Sequence, residues 1–405
     1  MKRCYDYHNY TQKELIPLAS QFDRPVPPRI GMEAIKWDIM GEKAAPGIVP
    51  LSVADMEFLS PPQIVSALRE TAAFGMWGYT GWGDRYFNAM HKWMKERHSW
   101  EISRDWIVRV NGVVQGLHAA VRAFTKPGDG IVIQTPVYHP FYSIVRDNGR
   151  TLFENPLIRT DSGYEIDFAD LEEKLARPEV TAMIVCSPHN PIGRVWTEEE
   201  LRRMGDLCLK YHVFVMCDEI HNDLIHNGIT HTVYATLGEA YARNCIIGTA
   251  CSKTFSLAGL CLANMMIPDP EKKMLYEAEV MRSGCGTHST FGTVALEVGY
   301  EECGPWVDEL VDYVYGNYLY LKEFFAAHFP AFWVSPLEGT YLAWVDFSSL
   351  EPDQTKRAAF LEEKAGLFLS HGTPFGAPTF ERFNLACSRQ VLADALDRLL
   401  AAAKQ

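Results

Sequence analysis

The chain has 405 residues, 47% of them hydrophobic and 12% aromatic, too many for one compact core and suited to two domains of ordinary size. A formal net charge of -13 offers no basic field to phosphates, which argues against broad nucleic-acid or anionic-membrane binding and leaves only a local basic pocket open. Ten cysteines without a C-x-x-C pair or regular spacing support neither zinc nor a disulfide framework, and several, such as Cys186, Cys217 and Cys261, fall in apolar strand-like runs; a reducing cytoplasm is the expected setting.

The first fifty residues are polar and rich in turn signals, among them Pro25, Pro27, Pro28, Gly31, Gly41, Pro46 and Gly47, and read as an arm with one short helix. The extreme N-terminus has no apolar leader core, and no stretch has the apolar length of a bilayer span. From Leu51 the run LSVADMEF is strand-like, and Pro61 and Pro62 suit the start of a helix over QIVSALRETAAF. Glycines then alternate with Trp77, Tyr79 and Trp82. Such a loop either packs on a core or meets a ligand or a second subunit.

Between residues 105 and 284 strand-like runs appear at DWIVRV, DGIVIQTP, TAMIVCSP, VFVMCDE and NCIIGTA. Helix-like segments lie between several of them, one opening at Thr197 as an N-cap before acidic residues. The alternation predicts β-α-β units and a mostly parallel sheet covered on both faces, which places ligands beyond the carboxyl ends of its strands.

The residues after each run form a coherent set. Gly112, in Asn111-Gly112-Val113-Val114-Gln115-Gly116, is a strand-to-helix turn that lets backbone N–H groups approach a phosphate, a weak signal alone. Tyr138 offers a ring for stacking, and the Asn190 amide sits between two turn-forming prolines. Asp218 leaves a wholly apolar strand, either as a helix cap or as the partner of a cation, with His221 three residues on. Lys253, in the stretch IIGTACSKTFSLAGL, is by itself a surface lysine at a strand end. Beside the others it reads as an amine kept nucleophilic for an aldehyde. Phosphate cup, stacking ring, amide, carboxylate and amine together suggest pyridoxal phosphate, which needs an amine for its aldehyde, an acid for its pyridine nitrogen and a phosphate cradle.

At this point five blocks in order carry a resemblance: Ala54-Asp55-Met56-Glu57-Phe58, Ser187-Pro188-His189-Asn190-Pro191, Asp218-Glu219-Ile220-His221, Ser252-Lys253-Thr254-Phe255 and Glu338-Gly339-Thr340-Tyr341-Leu342-Ala343-Trp344. From about residue 30 to the C-terminus the chain resembles the class I/II, fold-type I aminotransferase superfamily, and within it the cystathionine β-lyase, or cysteine-S-conjugate β-lyase, branch that includes the cystalysins. The resemblance implies an α/β fold: a large domain whose mostly parallel, seven-stranded-type sheet lies in an α/β/α sandwich, plus a smaller α+β domain. Residues 1–50 would be the arm joining the small domain, 51–285 the large cofactor-binding domain and 286–405 the small domain carrying Arg382.

It also implies roles. Lys253 would take the cofactor's aldehyde, Asp218 would pair with the pyridine nitrogen and Asn190 with the phenolic oxygen. Tyr138 would stack on the ring, His221 would lie near it, and Gly112, Val113, Val114 and Ser252 would receive the phosphate. Arg382 would hold the substrate α-carboxylate in a bidentate fork, with Tyr138 and Asn190 beside the substrate. Tyr79 would reach the phosphate of a neighbouring subunit, which implies a homodimer. Two departures from the wider superfamily favour the lyase branch: Cys261 stands where many members have a phosphate-binding arginine, and His221 where many have tyrosine. Ala250 stands where a serine often helps hold phosphate, so Thr249 or Ser252 is the substitute. The activity implied is α,β-elimination from cystathionine, cysteine or a cysteine S-conjugate. The alternatives are an aminotransferase using the same residues, or a regulatory protein that retains the cofactor site.

Overall fold

Five of the apolar runs become strands of one sheet because each is short and rich in apolar and β-branched residues. The structure, a computed structural model, describes residues 20–41, 47–226, 228–284 and 286–404; residues 1–19 and 42–46 of the expected arm lie outside the described residues. The central sheet has seven strands: β1 (Ile107–Val110), β2 (Gly130–Thr135), β3 (Thr151–Pro156), β4 (Val180–Cys186), β5 (Phe214–Asp218), β6 (Cys245–Thr249) and β7 (Ala263–Met266). Their order is β1-β7-β6-β5-β4-β2-β3. Only β7 is antiparallel to its neighbours, so the other six run one way and their carboxyl ends share one edge. β1, β2, β5 and β6 are buried throughout, and β4 at all but Thr181, as expected of a sheet covered on both faces.

Helices attach to this sheet through small residues. The labelled ones are α1 (Pro62–Phe74), α2 (Asp84–His98), α3 (Val113–Phe124), α4 (Glu198–Lys210), α5 (Cys251–Thr254), α6 (Gly304–His328) and α7 (Arg389–Ala403). A Cβ on Gly248 of β6 would lie 2.8 Å from Val113 Cγ1, and one on Gly116 of α3 would lie 2.6 Å from Met265 Sδ. Those two glycines let α3 sit close on the sheet, which brings its first turn to the functional edge. The Thr197 cap of α4 is present as a full capping box with Glu200.

The C-terminal part has a four-stranded antiparallel sheet, β8 (Trp333–Val334), β9 (Leu342–Asp346), β10 (Ser370–His371) and β11 (Phe380–Asn384), in the order β8-β9-β11-β10. Helices α6 and α7 of this part pack on each other. Two expectations need correction. The run LSVADMEF, residues 51–58, forms no strand, and the two-residue strand Val49–Pro50 ends just before it: Val53 adopts φ 51°, and the Val53 and Asp55 carbonyls accept from Asn384 Nδ2, and that of Asp55 also from Lys36 Nζ, so side chains replace a ladder. Cys261 is not in a strand either; it is exposed, with φ 51°, two residues before β7. Among the described residues no helix is long and apolar enough to cross a membrane.

Candidate active site

Register sets the level of the site. Asp218, the last residue of β5, pairs with Cys186 on one side and Gly248 on the other, so the segments beginning at Ser187 and Ala250 leave the sheet close to it. Asp218 is buried, and its Oδ1 accepts from the Ile220 backbone N–H at 3.1 Å. Burial pushes its carboxyl up to about 6, because the apolar strand gives the charge little solvation. A carboxylate so placed is suited to a cation.

Lys253 lies on α5, one turn of helix that follows β6. Its Nζ donates to the Ala54 carbonyl at 2.6 Å, which also accepts from Tyr341 Oη at 3.0 Å. Burial brings the amine down to about 8, assisted by the Arg382 charge and opposed by Asp55 and Asp218. A fraction of it is therefore unprotonated near neutral pH, the state a nucleophile or base requires.

Arg382 comes from β11 and is buried. It donates from Nη1 to Asn190 Oδ1 at 2.8 Å and from Nη2 to Ser370 Oγ at 3.2 Å, and its guanidinium lies 4.7 Å from the centre of the Phe375 ring. Its Nε has no partner and no ion pair reaches it among the described residues. Burial brings even this guanidinium down to about 10. A cation enclosed without an anion calls for one from outside, and the fork matches a carboxylate.

The remaining expected residues fall as follows. Asn190 is buried, in a turn with cis peptide bonds before Pro188 and Pro191. Tyr138 is half-buried, and burial with the Asp218 charge raises its phenol. His221 is buried, edge-on to Tyr341 at 5.8 Å; its Nδ1 has no partner, and burial with the Lys253 and Arg382 charges holds the ring well below its usual pKa, hence neutral. Gly112 is the N-cap of α3 with no side chain capping it, so the amides of its first turn, at Val113 and Val114, stand at an open positive helix end. Ser252 lies on α5 next to Lys253. Tyr79 stands apart from them, 97% exposed on the glycine-aromatic loop.

The donor set fits pyridoxal phosphate by its chemistry and by what it leaves unsatisfied. Besides Arg382 Nε and His221 Nδ1, the buried hydroxyls Ser187 Oγ and Thr249 Oγ1 lack partners at the same sheet edge. Sequence reasoning gave no role to Ser187, Tyr341, Ser370 or the Ala54 carbonyl. The first two lie in blocks already singled out by pattern, whereas Ser370 and a backbone carbonyl carry no sequence signal.

The chain is similar to known proteins along most of its length. The family model described as aminotransferase class I and II matches residues 46–399. The cystathionine β-lyase PatB of Bacillus subtilis is 40% identical, over 92% of this chain and 97% of its own. The crystal structure of cystalysin from Treponema denticola, which contains pyridoxal 5'-phosphate, superposes with a TM-score of 0.92 at 39% identity, covering 95% of this chain and 98% of that one. The C-S lyase from Staphylococcus hominis, bound to pyridoxal phosphate, gives 0.89 at 29% identity, covering 96% and 99%.

Proposed function

Because the chain belongs to the class I and II aminotransferase family, in its cystathionine β-lyase branch, we propose that it is a pyridoxal-phosphate-dependent carbon-sulfur β-lyase. It acts on cystathionine, cysteine or cysteine S-conjugates and releases a thiol, pyruvate and ammonia. The observation that carries the reading is the buried Arg382 fork without an acid partner, set among Asn190, Tyr138 and the Lys253 amine.

Lys253, Asp218, Asn190, Tyr138 and His221 hold the cofactor's ring system, and Gly112, Val113, Val114 and Ser252 its phosphate. When bound, pyridoxal phosphate supplies an electron sink for the pair left at Cα. The rest is done by the chain. Arg382 fixes the substrate α-carboxylate, turning an encounter into an oriented complex. Lys253 Nζ, unprotonated, takes the Cα proton. Asp218 stays ionised against the pyridine nitrogen, which reverses the upward push of burial on its carboxyl. Neutral His221 adds no charge beside that pair. The thiolate departs from Cβ, and the released three-carbon enamine hydrolyses to pyruvate and ammonia.

Exposed Phe74 at the end of α1 and the exposed loop with Met76, Trp77 and Tyr79 support a homodimer in which Tyr79 of each protomer reaches the phosphate held by the other. The described cysteines, free and all buried except Cys261, suit a reducing cytoplasm. The test is pyruvate release from a panel of thioether amino acids by the wild type and by Lys253→Ala. The wild type is expected to release pyruvate and the variant to lose at least about 10⁴-fold in rate; unchanged release by the variant would sink the assignment.

A further inference from the structure

Asp223 is a buried carboxylate that the chemistry above does not use. It stands five residues after Asp218, at the end of the segment that also carries His221. Its Oδ1 accepts from Trp93 Nε1 at 2.9 Å and His98 Nε2 at 2.8 Å, both on α2, and Arg97 Nε of that helix is 4.0 Å away. Its Oδ2 accepts from Thr254 Oγ1 at 2.7 Å. Thr254 is buried, the last residue of α5 and the chain neighbour of Lys253.

Helix α5 needs an outside hold. It is four residues long, its N-cap Ala250 offers no side chain to its amides, and a single helical turn has almost no stability of its own. The Asp223–Thr254 bond joins the segment that bears the Asp218 carboxylate to the one that bears the Lys253 amine, and anchors both to α2. Burial opposes the charge on Asp223, but the His98 and Thr254 hydrogen bonds and the nearby Arg97 outweigh it and hold the carboxyl below its ordinary value. The anchor is thus a charge-assisted bond in a dry setting, shorter and stiffer than a neutral one.

We propose that Asp223, acting through Thr254, is a positioning residue that fixes the Lys253 amine relative to Asp218. The inference rests on the roles given to those two groups under Proposed function. Without the anchor, α5 is free to rotate about Thr249 and Ala250, and a displacement of about 1 Å at a reacting amine is worth on the order of 10²-fold in rate.

The experiment uses the holoenzymes of wild type, Thr254→Val, Thr254→Ser and Asp223→Asn. Two quantities are read: kcat and KM for cystathionine, and the midpoint of the pH titration of the visible absorbance. Thr254→Val is expected to lower kcat by about tenfold to 10²-fold with KM within about twofold, and to move the titration midpoint by about half a pH unit or more. Asp223→Asn is expected to move that midpoint in the same direction, and Thr254→Ser, which keeps the hydroxyl, to restore both quantities. A Thr254→Val enzyme that melts at a lower temperature but keeps the wild-type kcat and midpoint has lost only a structural contact, and the proposal is then wrong. Should the wild type release no pyruvate from cystathionine, cysteine or a cysteine S-conjugate, the lyase reading fails, while the titration midpoints still decide the positioning role.

Discussion

Asp218 and Lys253 are held where water solvates neither charge well, and their displaced pKa values translate into stability. Below about pH 6 and above its ordinary value near 4, folded Asp218 keeps a proton that the unfolded chain has lost. Stability of the cofactor-free protein therefore falls as pH rises through that window, by about 3 kcal/mol in full. Lys253 has the opposite bearing. Between about 8 and its ordinary value near 10.4 the unfolded chain holds the proton, so stability rises with pH there. Asp218→Asn is accordingly expected to melt higher than wild type at pH 7 without cofactor, yet to lose about 10²-fold or more in turnover with it; calorimetry of the cofactor-free proteins and a pyruvate assay check the two halves. Arg382→Lys is expected to raise KM for cystathionine at least about tenfold, since an ammonium cannot form the fork; steady-state kinetics decide it. Lys253, Asp218 and Asn190 were legible in the sequence because each follows an apolar strand run in which polar chemistry is out of place. Asp223 and Ser370 were not, because their significance lies in which atoms the fold brings within hydrogen-bond distance.

At the scale of elements, the sheet edge depends on how closely α3 approaches β6. Gly248→Ala would drive a methyl against Val113 Cγ1 at 2.8 Å and Met265 Sδ at 3.1 Å, inside a buried contact. The expected outcome is a loss of about 1–3 kcal/mol in stability, with weaker cofactor retention as the first turn of α3 is pushed outward. Urea unfolding and the rate of cofactor loss on dialysis measure both. The five buried runs were legible as strands because nothing but a covered parallel sheet suits such uniform apolarity. β3 was missed: its exposed and half-exposed residues, broken by Asn155 and Pro156, do not mark a strand. LSVADMEF misled for the converse reason, since its alternation is real but Asn384 and Lys36 take the carbonyls a ladder would use.

For the whole molecule, the most informative surface is the loop with Met76 and Trp77, both more than half exposed, beside Tyr79. A single chain gains nothing by presenting these rings to water. Trp77→Asp combined with Met76→Asp is expected to shift a dimer toward monomer in sedimentation and to weaken cofactor binding together with it, whereas Tyr79→Phe is expected to leave the dimer intact and affect the cofactor alone. The resemblance, rather than the apolar runs, pointed to Arg382 in the C-terminal part, and the fold carries it on β11. That Ser370 of β10 stands opposite it was not legible, because antiparallel register is set by long-range pairing.

The central claim, elimination rather than amino-group transfer, is tested most directly by a partition measurement. The wild-type holoenzyme is incubated with cystathionine and a keto acid, and pyruvate and newly formed amino acid are counted in the same sample. A β-lyase is expected to release pyruvate and thiol in equal amounts, in large excess over any amino acid formed from the keto acid. Amino-acid formation matching substrate consumed, with no thiol released, would contradict the account.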